Sequence, residues 1–171
     1  MALSTTKDVQ DAILNDVRRA KLVDIIDIRY WHYKVDGLYA PEGGKNLAPR
    51  QHARKMKVGK VTFDEAYRAV SEYRQKFPEK AVTYYAQNYP DMAWAVFMAG
   101  GSCPVIPVAD EGFLNDAAAM DVEDTGTNKY RKLVKSGIGS IIYSHSEADI
   151  PVHLSPGKYI LKSVDPKTGA I

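Results

Sequence analysis

The sequence predicts an α/β fold: parallel β/α units first, then the start of an antiparallel sheet. Three observations carry this. Segments dense in β-branched and aromatic residues alternate with segments of helical period over residues 5–108. The candidate strands are nearly uniformly apolar, as parallel strands covered on both faces would be. After residue 110 the pattern turns irregular, then becomes short alternating strands broken by Pro and Gly.

In chain order, residues 5–20 read as a helix. Thr5 and Asp8 have capping-box-like spacing, and Val9, Ile13, Val17 and Ala20 make one apolar stripe. Residues 22–31 read as a strand. Residues 32–60 read as a long loop punctuated by Gly37, Pro41, Gly43, Gly44, Pro49 and Gly59, and loops of that length are often functional. Thr62 and Glu65 form a capping box for the next helix, whose inward face is Phe63, Ala66, Tyr67, Val70 and Tyr73 and which Pro78 ends.

A second strand follows at 80–85. Pro90 opens a helix over Asp91 to Ala99 that is apolar nearly all round, and Gly100-Gly101 closes it. A third short strand is expected at 105–108, although Pro107 argues against a regular central position. A short helix is expected over Asn128 to Lys135. Half-buried strands are expected at 140–144, 150–154 and 158–164, with a tight turn at Ser155-Pro156-Gly157. The expected organisation is therefore 1–110 as parallel units, 111–137 as a connecting segment and 138–171 as a partial antiparallel domain.

Bulk composition excludes several classes. Of 171 residues, 45% are hydrophobic and 26% charged, with a net charge of +2, which suits a chain with a packed core. Arg50, Arg54, Lys55, Lys57 and Lys60 form a basic stretch. No interleaved aromatics or recognition helix accompany it, so it reads as a solvated loop and no nucleic acid is expected. The single cysteine, Cys103, excludes an intrachain disulfide. No apolar run is long enough to span a membrane, and the first residues lack the pattern of a signal peptide. None of the four His residues has metal-ligand spacing, so neither a metal nor a cofactor is expected.

Chemistry in parallel sheets gathers where strands end and loops begin. The first such place holds Asp27, Arg29, Trp31, His32 and Tyr33. Asp27, Arg29 and Trp31 would share one face, the first two as polar contacts and Trp31, with Tyr33, as a stacking surface for a sugar ring; a structural Asp–Arg pair among core aromatics is the competing reading. The second holds Tyr85, Gln87 and Asn88. Gln87 and Asn88 can bond sugar hydroxyls, though Asn88 equally suits the helix cap before Pro90 and Tyr85 a core position. Glu42, Asp91, Asp110 and Glu111 are further carboxylates by position alone. No catalytic pair is assigned.

Three stretches carry a family resemblance: Asp24 to Tyr33 with the later Gly43-Gly44-Lys45-Asn46-Leu47-Ala48-Pro49-Arg50-Gln51; Ala93 to Ser102; and Pro156 to Gly169. Together they resemble the C-terminal part of glycoside-hydrolase-like (β/α)8 barrel proteins of saccharolytic bacteria, distantly similar to apiosidases. The resemblance implies the last β/α units of a TIM-type barrel followed by a partial antiparallel β-sandwich. It implies a carbohydrate substrate, a parent protein that is secreted or periplasmic, and the remainder of that barrel as the structural partner. It also implies a carboxylate at the end of the next-to-last strand, where this chain has Tyr84 to Asn88 and no Asp or Glu. The resemblance therefore leaves two functions open. One is a fragment of a glycoside hydrolase that contributes part of the cleft without a complete catalytic set. The other is a non-catalytic carbohydrate-binding or scaffolding protein with a degenerate barrel.

Overall fold

The computed structural model describes residues 1–39, 61–85 and 90–171. The chain forms two compact units, 1–104 and 105–171. The fold is mixed α/β with small sheets, and the described residues contain no closed barrel.

The first unit is built on three parallel strands, β1 (Ala2–Leu3), β2 (Ile25–Ile28) and β5 (Ala81–Tyr84), lying side by side in that order. Leu3 pairs with Ile26, and Ile26 with Val82. Between β1 and β2 run helix α1 (Lys7–Leu14) and the short α2 (Val17–Ala20). Helix α3 (Phe63–Lys76) precedes β5, and α4 (Pro90–Met98) follows it. After β2 the chain makes a hairpin, β3 (His32–Lys34) against β4 (Gly37–Tyr39).

The helices form one layer. Helix α1 touches α3 through Lys7 to Glu72 and Tyr73 to Asp11, and α3 packs against β2, β5 and α4. Alternation along the strands does the rest. Leu3, Ile26, Ile28 and Val82 are buried beneath the helices. The opposite face carries Ala2, Ile25, Asp27, Ala81 and Thr83, none of them buried, with Ile25 37% exposed. Among the described residues the sheet is thus covered by helices on one face, where its apolar sequence predicts cover on both.

Local signals explain α3 and α4. The capping box is complete: Thr62 Oγ1 accepts from Glu65 N, and Glu65 Oε2 accepts from Thr62 N at 2.8 Å. Phe63, Ala66, Val70 and Tyr73 are buried as their spacing predicts, joined by Ala69, whereas Tyr67 is half-buried. Helix α4 is buried from Met92 to Met98 and ends where Gly100 adopts a left-handed conformation (φ +70°) and Gly101 N donates to Val96 O at 2.8 Å.

Four elements depart from the sequence reading in the first unit. The expected helix over 5–20 is two helices, because Asp16 caps a new start by accepting from Arg18 and Arg19. The expected stripe is not the buried face: Val9 and Val17 are exposed, Ile13 and Ala20 half-buried, and α1 buries Lys7, Gln10 and Leu14. The expected loop after residue 31 begins with the β3–β4 hairpin; residues 40–60 lie outside the described residues. The strand ends at Ile28, so the run to Trp31 is not one continuous face.

The second unit holds helix α5 (Glu111–Ala118) and a meander of β6 (Asp121–Glu123), β7 (Arg131–Lys135) and β8 (Gly139–Tyr143). Asp110 caps α5 by accepting from Phe113 N at 2.6 Å, in a stretch expected to be irregular. The helix expected at 128–135 is instead the central strand β7. Segments 150–154 and 158–164 belong to no strand, and Ile160 and Leu161 are almost fully exposed. Pro151 and Pro156 lack the N–H that a ladder needs. Nor is 105–108 a strand: Pro107 lies against the terminal turn, where a Cβ on Gly169 would stand 2.3 Å from Pro107 O.

A test of the helix–sheet packing is Gly101→Ala. Its Cβ would stand 2.5 Å from Val96 Cγ1 and 2.8 Å from Val96 O. The substitution is expected to cost about 1–3 kcal/mol of unfolding free energy, read by urea denaturation.

Candidate functional site

The C-terminal ends of β2 and β5 bring four polar or aromatic side chains together on the open face and its rim. The register pairs Asp27 with Thr83, so both point away from the helices. Thr83 Oγ1 donates to Asp27 Oδ1 at 3.0 Å, and Arg29 Nε donates to Asp27 Oδ2 at 3.0 Å. The Arg29 guanidinium lies 5.0 Å from the ring centroid of Tyr85. Tyr85 is held by its backbone N–H, which donates to Ile28 O and extends the ladder one step beyond Tyr84. Asp27 is mostly covered, with its side chain 15% exposed, while that of Arg29 is 47% exposed. The pair therefore combines a held carboxylate with an accessible guanidinium.

Asp27 also fixes the layer beneath. Its backbone carbonyl and that of Leu3 both accept from Gln10 Nε2 at 3.0 Å, and Gln10 Oε1 accepts from Trp31 Nε1 at 2.7 Å. A fully buried amide must satisfy its donors and acceptor within the protein. Gln10 does so by tying β1, β2 and the chain after β2 to α1.

Trp31 and Tyr33 therefore stand away from the open face. Trp31 is 2% exposed and packs against Tyr33 and Tyr73, with Lys7 Nζ 5.2 Å from its ring centroid. It presents no accessible ring for stacking in this arrangement. Tyr33 is buried as well, donating to Glu72 Oε2, with Arg68 4.0 Å from its ring centroid. His32 is 3% exposed in β3, and burial lowers its pKa against a smaller opposing effect from Glu65. Of the residues marked from sequence, Asp27, Arg29 and Tyr85 meet; Trp31, His32 and Tyr33 lie elsewhere; Gln87 and Asn88 are outside the described residues. Thr83 was not marked, although the two-residue alternation that puts Asp27 on the open face would identify it once the register is known.

The buried partner of this site is an ionic cluster between α1 and α3. Lys7 Nζ donates to Asp11 Oδ2 and to Glu72 Oε1, both at 2.9 Å, and lies 5.0 Å from the Tyr73 ring centroid. Lys76 donates to Glu72 Oε1 at 2.7 Å, and Tyr73 to Asp11 Oδ1 at 2.7 Å. Burial alone would raise the Glu72 pKa, but hydrogen bonds from Lys76, Tyr33 and Lys7 outweigh it and hold the carboxyl at about 2. Burial would lower Lys7, yet its bonds to Asp11 and Glu72 leave it raised. Burial and the bond to Glu72 push the Tyr33 hydroxyl up to about 12. Every charge here is committed to another protein group, which is the signature of a structural cluster.

Glu42 lies outside the described residues, and Asp110 and Glu111 serve the start of α5 in the second unit. Among the described residues no three His, Cys, Asp or Glu side chains are grouped to hold a metal ion, and no helix is long and apolar enough to cross a membrane.

The profile of one protein family, described as a domain of unknown function (DUF6298), matches residues 1–120. No curated protein and no solved structure matches the chain.

The ionic cluster sets an acid limit on stability. The Glu72 pKa is lower folded than unfolded, so its contribution is complete above about pH 4.5 and is lost as pH falls towards 2. Glu72→Gln is expected to cost about 1–3 kcal/mol at neutral pH, by leaving Lys7 with Asp11 as its one carboxylate and by weakening the bonds from Lys76 and Tyr33. It should also flatten the loss of stability between pH 4.5 and 2, measured by denaturant titration at each pH.

Proposed function

We propose, from the premise that the chain belongs to the DUF6298 family, that it forms the last β/α units of a glycoside-hydrolase-like barrel and supplies part of a carbohydrate cleft. The observation that carries this is the one-sided sheet. Three parallel strands in sequential order, with the described helices between them on one face, fit the winding of a (β/α)8 barrel. A doubly wound sheet would reverse direction at a switch point and clothe both faces. On the barrel reading, Ala2, Ile25, Asp27, Ala81 and Thr83 line the interior, and Asp27, Arg29 and Tyr85 stand at its mouth, where such barrels keep their chemistry. The meander of the second unit is in keeping with a partial β-rich domain after the barrel.

Glycoside hydrolysis normally needs two facing carboxylates. Asp27 supplies one carboxylate at the mouth, and the sequence from Tyr84 to Tyr89 contains none. A second reading, a non-catalytic carbohydrate-binding or scaffolding protein on a degenerate barrel, is favoured by that one observation. The two readings part on turnover.

The test is hydrolysis of a panel of plant and host oligosaccharides by the full-length protein and its Asp27→Asn variant. The hydrolase reading expects cleavage by the wild type and at least a roughly tenfold drop in kcat/KM for the variant. Binding without cleavage selects the scaffolding reading. Unchanged turnover in the variant removes Asp27 from the mechanism.

A further inference from the structure

The Arg29 guanidinium is held in a way that reveals what it is free to bind. Among the described residues its side-chain hydrogen bond is the one from Nε to Asp27 Oδ2. Guanidinium carries five N–H donors, and the Nη1–Nη2 edge faces away from the Nε–H. Asp27 is engaged at both oxygens, Oδ1 by Thr83 Oγ1 and Oδ2 by Arg29 Nε, which fixes its orientation. Tyr85, 41% exposed, flanks the guanidinium and limits its swing. The long side chain is thus steadied at its neck and along one side, and its two-nitrogen edge remains for a ligand.

We infer that Arg29 receives a carboxylate of the ligand, so that the saccharide bound at this site is acidic, a uronic-acid-containing glycan. This rests on the carbohydrate reading above and narrows it. The Nη edge matches a planar carboxylate by two parallel N–H···O bonds, which a neutral hydroxyl cannot accept. The adjacent Asp27 carboxylate repels a dianion such as a phosphate monoester more than a monoanion. Asp27 and Thr83 act as positioning residues, and Tyr85 is the flank against which the pair is set.

The experiment is calorimetric binding by the full-length protein. The probes are oligogalacturonides and glucuronic-acid-containing xylo-oligosaccharides, each paired with its carboxyl-reduced counterpart, and a sulfated oligosaccharide. The inference expects each preferred acidic probe to bind about 10–100 times more tightly than its reduced form, the value of a charge-assisted pair. That margin should vanish in Arg29→Ala, the acidic and reduced forms then binding alike. Arg29→Lys, which keeps the charge but not the two-nitrogen edge, should recover only part of it. Equal binding of acidic and reduced probes, or preference for the sulfated one, overturns this inference and leaves the carbohydrate reading standing. Absence of binding to any saccharide overturns both. The wild-type comparison of paired probes needs no variant, so the folding of the Arg29 substitutions does not decide the result.

Discussion

Parallel strands that follow one another in space as they do in sequence, joined by crossovers of one hand, must carry all their helices on the same side. The rest of the first unit depends on this constraint. It puts α1, α3 and α4 into one layer over Leu3, Ile26, Ile28 and Val82, and it leaves Ala2, Ile25, Asp27, Ala81 and Thr83 on a face that none of the described helices covers. A half-covered parallel sheet is unusual in a complete domain. The proposed barrel resolves this by curling that face inward. The same geometry sets Asp27, Arg29 and Tyr85 together at the C-terminal ends of β2 and β5, on the side proposed as the interior.

The polar groups divide between the two faces by a physical rule. Charges on the covered face are fully consumed: Lys7 is shared by Asp11 and Glu72, and Glu72 by Lys7, Lys76 and Tyr33. Gln10 spends its amide on two strand carbonyls and the Trp31 indole. These interactions lock the helix layer to the sheet and leave nothing over for a ligand. On the open face the commitment is partial: Asp27 is held at both oxygens, while among the described residues Arg29 uses its Nε alone. The difference between a saturated and an unsaturated charge is what separates scaffold from candidate site.

Legibility in the sequence followed the strength of local signals. The capping box at Thr62, the proline and glycine bounds of α4 and the apolar run of β5 are each decided within a few residues, and each element formed where its signal lies, while β2 took only Ile25–Ile28 of its longer run. The signals failed where distant contacts decide. Strand β1 is two residues long and exists only because β2 offers it a ladder. Helix α1 turns Lys7 and Gln10 inward because partners wait on α3 and after β2, which an apolar stripe cannot foretell. Basic residues in β7 mask a strand whose Leu133 alone is buried. At the site, Asp27 and Arg29 were legible as polar residues ending an apolar strand. Trp31 was misleading because the strand stops at Ile28 and the chain then turns its indole to Gln10.

The claim most exposed to disproof is that the face bearing Ile25 is the inside of a barrel. Ile25 is 37% exposed in the chain described here. Thiol labelling of an Ile25→Cys, Cys103→Ser variant in the native full-length protein measures the cover directly. If the face lines a closed interior, the thiol reacts only at the rate of global unfolding. Labelling under native conditions as fast as an open surface thiol would contradict the barrel, and with it the cleft at its mouth.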